Sequence, residues 1–74
     1  MIHMQVLSPT HLKVGQKIKV LRTKLAYTQE DLAFKVDVDR SYMGFVERGE
    51  KNPTLSTLIK IAHALKIPLV ELFA

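Results

Sequence analysis

The chain predicts an all-α fold, a single small domain of five helices, on three observations. Its 74 residues contain no cysteine and supply one small core. Good N-cap residues recur along it: Ser8 before Pro9, then Thr28, Asp39 and Thr54. Behind each cap, apolar residues recur at three- and four-residue intervals.

The first helix is predicted from Pro9 to Leu25, with Val14, Ile18, Leu21 and Leu25 in its apolar stripe. Lys13, Lys17, Lys19 and Lys24 lie largely outside that stripe. Residues 1–8 form an N-terminal segment without clear period, and residues 9–74 form the domain. The first residues are open to reading as a flexible arm, but they carry no Arg or Lys before Lys13 to hold DNA.

Thr28 and Asp31 spell a capping box before the second helix, Gln29 to Val36, which buries Leu32, Ala33 and Val36. Asp37-Val38-Asp39 breaks it. Asp39 then caps the third helix, Arg40 to Arg48, and Gly49 stands where a left-handed residue is wanted. Thr54 caps the fourth helix, Leu55 to Leu65, whose Leu55, Leu58, Ile61, Ala62 and Leu65 keep helical spacing. Pro68 starts a last short helix, Leu69 to Phe73.

The third helix divides its residues most sharply. At about 100° per residue from Arg40, Gly44, Arg48, Ser41 and Phe45 fall within roughly 140°. Tyr42, Val46 and Met43 fall at roughly 200°, 240° and 300°, the buried side. The open face then carries two guanidinium groups, a hydroxyl, a glycine and a ring, with no acid. That chemistry suits the DNA major groove: Arg pairs with guanine, Ser donates or accepts, and Phe touches a thymine methyl. Gly44 is expected to remove bulk where the helix nears the base edges.

Four fragments in register carry a resemblance: R-T-x-x-x-x-T-Q-E-D-L-A (Arg22 to Ala33), D-R-S-Y (Asp39 to Tyr42), V-E-R-G (Val46 to Gly49) and N-P-T-L-x-T-L-x-K-I-A-x-A-L (Asn52 to Leu65). Over Val14 to Phe73 the chain resembles the XRE family of helix-turn-helix regulators, the Cro/phage-repressor type. Within it, the chain is most similar to the small controller proteins of restriction–modification systems. The resemblance implies a compact five-helix lambda-repressor-like domain whose second and third helices form the helix-turn-helix. It implies that Gln29 bonds a backbone phosphate and buttresses the third helix, and that Arg22 and Glu47 pair to clamp two helices. The family usually has glycine before Tyr27; Ala26 stands here, which leaves that turn's geometry open.

The expected DNA-base contacts are Arg40, Ser41, Tyr42, Gly44 and Phe45, with Arg40 reading a guanine. The expected phosphate contacts are Gln29, Arg48, Lys51, Asn52 and Thr54. The final segment is more apolar than so small a monomer can cover, so Ile67, Leu69, Val70, Leu72 and Phe73 are the expected interface of a homodimer. A two-fold dimer sets its reading helices about 34 Å apart, which implies a palindromic operator in double-stranded DNA.

Other chemistry is poorly supplied. His3, His11 and His63 have no cysteine or second histidine at ligand spacing, so no metal or other cofactor is expected. No phosphate loop or nucleophile–base pair stands out, and the chain is short for a substrate pocket; an enzyme is not expected, nor a small-molecule substrate. No apolar run is long enough for a membrane, and a cytoplasmic setting follows. The expectation is a dimeric, sequence-specific transcriptional regulator controlled through its own concentration. The alternative is a protein-interaction module, such as an antitoxin-like subunit whose last helix binds another chain.

Overall fold

The structure, a computed structural model, describes residues 6–74. Residues 1–5, and with them His3 and most of the expected arm, lie outside the described residues. The elements are α1 (Pro9–Lys24), α2 (Gln29–Lys35), α3 (Arg40–Glu47), α4 (Leu55–Ala64) and a terminal 3₁₀ helix, Leu69–Phe73.

All four predicted caps operate. Ser8, Thr28, Asp39 and Thr54 accept the backbone N–H groups of His11, Asp31, Tyr42 and Thr57. At α2 the box is reciprocal, with the Thr28 N–H donating to Asp31 Oδ2 at 2.8 Å. That backbone bond, aided by the Thr28 hydroxyl and by Lys35, holds the Asp31 carboxyl below its ordinary value. A lowered carboxylate stabilises the fold above the ordinary range, and the contribution is lost as pH falls through the lowered value.

Each α-helix ends one residue earlier than predicted: Leu25, Val36, Arg48 and Leu65 are C-caps instead of helical residues. The reason is the residue that follows. Ala26, Asp37, Gly49 and Lys66 have φ of 60°, 60°, 74° and 63°, so the chain turns left-handed after every cap. The N–H two residues past each cap then bonds back to a carbonyl five residues earlier: Tyr27 to Arg22, Val38 to Ala33, Glu50 to Phe45 and Ile67 to Ala62. These are Schellman closures, and one of the four uses glycine.

The predicted fifth α-helix is a correction. Leu69–Phe73 is 3₁₀, closed by i to i+3 bonds such as Glu71 N–H to the Pro68 carbonyl at 3.0 Å. Five residues behind an extended Pro68, with no side-chain cap, give an α-helical ladder almost nothing to propagate.

Val14 and Ile18 of α1, Leu32, Ala33 and Val36, Met43 and Val46 of α3, and Ile61, Ala62 and Leu65 form the core with Leu72. Leu21, Leu25, Leu58 and Tyr42 pack on its margin. Leu55, expected on the apolar face of α4, is exposed because it occupies the first helical position, beyond the end of the core. The tightest crossing is α1 over α3. A Cβ on Gly15 would overlap the backbone carbonyl oxygens of Val46 and Glu47.

Candidate nucleic-acid interface

The crossing of α1 and α3 is locked by an ion pair. Arg22 Nε donates to Glu47 Oε2 at 2.6 Å and its Nη2 to Oε1 at 3.0 Å, while Nη1 bonds the Tyr27 carbonyl at 2.8 Å. Both side chains are buried. A forked pair in which each guanidinium nitrogen makes a bond is the arrangement in which a buried charge is tolerated. The expected clamp is therefore in place, and it fixes how far α3 stands out from the body.

Gln29 opens α2 beside this pair. Its Nε2 donates to Glu47 Oε1 at 2.9 Å, and its Oε1 lies 3.4 Å from Arg40 Nη1. The buttressing role expected of Gln29 is thus visible, with the amide spanning from the buried carboxylate to the first residue of α3. One amide hydrogen remains for an outside acceptor.

On the outer side of α3, Arg40 and Ser41 are exposed at its N-terminal end. Tyr42, also expected at the bases, is half-buried and packs against the core. Phe45 is half-exposed and lies under two cations, with Arg48 Cζ at 5.0 Å and Lys51 Nζ at 5.5 Å from the ring centroid. Gly44 requires a correction: it is buried, not open. Arg48 reaches back over it, with Nη1 at 3.2 Å from the place a Cβ would take, and Gln29 Oε1 covers it from the other side at 3.6 Å. Gln29, Arg40, Ser41, Gly44, Phe45 and Arg48 together line one shallow concavity.

The open face of α3 itself carries no acid, as expected, but an acid from the next loop adjoins it. Glu50, from the loop after α3, bonds Arg48 Nε through Oε1 at 3.0 Å. Sequence reasoning passed over Glu50 because a helical projection ends with the helix.

The remaining expected phosphate contacts lie in the stretch between α3 and α4. Lys51 and Asn52 are exposed in the loop, and Asn52 Oδ1 lies 3.3 Å from His11 Nε2, tying the loop to the start of α1. Thr54 is exposed, but its oxygen accepts the Thr57 N–H and its proton goes to Thr57 Oγ1, both at 3.1 Å. A phosphate would have to take Thr54 from that second bond.

The five residues expected in a dimer interface do not share one surface, a further correction. Leu72 is fully buried in its own core, and Ile67 and Leu69 are half-buried against it. Val70 and Phe73 stay exposed, and the adjoining α4 exposes Leu55 and Ile59 as well. Among the described residues, Phe34 on α2 is the most exposed of the large apolar side chains, at 86%. Among the described residues no cluster could hold a metal ion, and no helix is long and apolar enough to cross a membrane.

A capped helix pair with a buttressed second helix and an arginine-flanked outer face defines a helix-turn-helix DNA-binding protein. The chain belongs to the Helix-turn-helix family HTH_3, whose model matches residues 18–72, and it is XRE-type within it. Its structure is similar to that of the restriction–modification controller protein C.AhdI from Aeromonas hydrophila, at 48% identity and a TM-score of 0.81 over 84% of this chain and 94% of that one. It is similar to the biofilm regulator SinR, solved in complex with DNA, at 32% identity and a TM-score of 0.77 over 82% and 98%. In sequence it is 46% identical to the immunity repressor protein of Bacillus phage phi105 over 76% of this chain, and spans 39% of that longer relative. The chain is a DNA-binding transcriptional regulator, and these relatives are regulators, not enzymes.

Proposed function

We propose that the protein binds a palindromic operator as a homodimer, in the manner of a restriction–modification controller. The observation that carries this reading is the concavity on the outer face of α3, where Arg40 and Arg48 flank Ser41 and Phe45 above a covered Gly44. Arg40, at the N-terminal end of the helix, reads a guanine. Ser41 and Phe45 contribute polar and methyl contacts beside it, and Tyr42 serves from the margin. Arg48, Lys51, Asn52 and the free N–H of Gln29, with Thr54 at the edge, position the backbone of the duplex.

Val70 and Phe73, joined by Leu55 and Ile59, form the dimer contact, because they are the large apolar side chains left uncovered on adjoining elements. The setting is cytoplasmic, where operators lie. The restriction–modification reading is favoured by the likeness to C.AhdI, at 48% identity and a TM-score of 0.81.

A selection from randomised duplex DNA at near-physiological salt tests the proposal, with Arg40→Ala alongside. The expected outcome is an enriched palindrome whose preference is blurred in the variant, at a loss of about 1–3 kcal/mol. Unchanged affinity in Arg40→Ala would refute the assigned reading face. Enrichment of no sequence, with a monomer in sedimentation, would favour a protein-interaction module that uses Val70 and Phe73 on a different chain.

A further inference from the structure

The pairing of Arg48 with Glu50 is unexpected at a face that meets polyanions. A carboxylate there repels phosphate, so electrostatics alone makes Glu50 a liability for binding. Its side chain is nevertheless 10% exposed, against 54% for Arg48, and its recorded partner is Arg48 Nε. The guanidinium is held from three sides. Glu50 takes Nε, Cζ lies over the Phe45 ring at 5.0 Å from its centroid, and Nη1 rests over Gly44, where a side chain would crowd it.

What remains for an outside partner is the edge carrying the two Nη groups. Two parallel donors in a fixed plane match two adjacent acceptors, as presented by the O6/N7 edge of guanine or by paired phosphate oxygens.

We infer that Glu50 is a positioning residue for DNA recognition: its carboxylate fixes Arg48 so that the Nη edge meets an acceptor pair on the duplex. The inference rests on the DNA-contacting role proposed for Arg48. It makes the loop residue part of the reading apparatus, and it explains why an acid stands beside the groove. Without Glu50, the Arg48 side chain regains its rotamer freedom and loses part of that freedom again on each binding event.

The two readings of Glu50 differ in sign. Affinity of the wild type, Glu50→Gln, Arg48→Ala, Arg48→Lys and the Arg48→Ala/Glu50→Gln double variant is measured by fluorescence anisotropy. The probes are the duplex that the wild type enriches from a random pool and a scrambled duplex of equal length. Positioning predicts that Glu50→Gln binds the enriched duplex about three- to tenfold more weakly although a negative charge is gone. It also predicts that the weakening disappears in the Arg48→Ala background, and that Arg48→Lys, which keeps the charge but not the fork, falls with Glu50→Gln. A loss confined to the enriched duplex assigns the guanine edge; an equal loss on both assigns phosphate oxygens.

Binding by Glu50→Gln that is unchanged or tighter overturns the inference, as does an equal loss with and without Arg48. If Arg48→Ala binds like the wild type, the inference falls with the Arg48 contact, while the Arg40 test still decides the wider reading. Circular dichroism of each variant confirms the helical fold, and the lysine variant leaves Glu50 in place as a second route to the same answer.

Discussion

Two Arg–Glu pairs meet at the C-terminal end of α3, one buried and one exposed, made of the same groups and held at 2.6 Å and 3.0 Å. Arg22–Glu47 faces inward, with side-chain exposures of 9% and 2%, and each nitrogen of the guanidinium bonds within the protein. Arg48–Glu50 faces outward at 54% and 10%, with one bond made and, among the described residues, no hydrogen bond from either Nη. The inner pair fixes where α3 stands, and the outer pair organises what α3 presents. Burial, not residue type, separates architecture from recognition here. Gln29 joins the two sides, since its amide touches both Glu47 and Arg40.

The largest expected effect breaks the inner pair. Glu47→Ala leaves the buried Arg22 guanidinium without its counter-ion and strips Gln29 of an anchor. The expected loss is about 3–5 kcal/mol of folding stability by urea denaturation, enough to unfold much of a domain this small. Glu50→Gln removes a partner of a half-exposed arginine and should cost below about 1 kcal/mol. Similar losses from the two substitutions would erase the distinction between the pairs.

Next comes the crossing that the inner pair locks. Gly15→Ala puts a methyl group against the carbonyls of Val46 and Glu47, so α1 and α3 must separate. Overpacking of this kind costs about 1–3 kcal/mol, and both stability and operator affinity should fall as α3 shifts. A variant with wild-type stability would mean that α1 and α3 separate at no cost.

On the outer side, Lys51→Ala tests the rim against the concavity. Lys51 lies exposed over Phe45 and, among the described residues, makes no ion pair of the kind that joins Glu50 to Arg48. The expected change is a uniform weakening across sequences, with the slope of log K against log salt reduced by about one. A sequence-selective loss would move Lys51 from the rim into the reading set.

How much of this was legible follows from the range of the interactions. Caps are local, so Ser8, Thr28, Asp39 and Thr54 were readable one by one, as was the buried stripe of each helix. The helix ends were misplaced by one residue because Ala26, Asp37 and Lys66 adopt a left-handed turn that their identities do not announce. Within Ile67 to Phe73 nearly every residue is apolar, so nothing local separates buried Leu72 from exposed Val70. Gly15 sits inside a regular helical pattern, and its role depends on a backbone about thirty residues away. The Arg22–Glu47 pair was available through family resemblance, not through spacing. Glu50 was hidden because the loop folds back onto the helix it follows.

The smallest effect compares two of the turns that bound α3's environment. Ala26 and Gly49 both follow a C-cap with φ of 60° and 74°, and both close a Schellman motif. At Gly49 a Cβ would also approach Leu12 Cα at 2.8 Å and its N at 2.9 Å, so glycine is required twice over, by conformation and by space. At Ala26 the residue is exposed, and conformation alone is at issue. A left-handed alanine carries a strain of roughly 1–2 kcal/mol, which glycine relieves while adding freedom to the unfolded chain. Ala26→Gly should therefore stabilise the protein by a net of about 0.5–1 kcal/mol with operator affinity unchanged, whereas Gly49→Ala should destabilise it by more than that gain. Denaturation midpoints of the two variants check the pair. A destabilised Ala26→Gly would mean that the alanine methyl makes a contact worth more than the strain it carries.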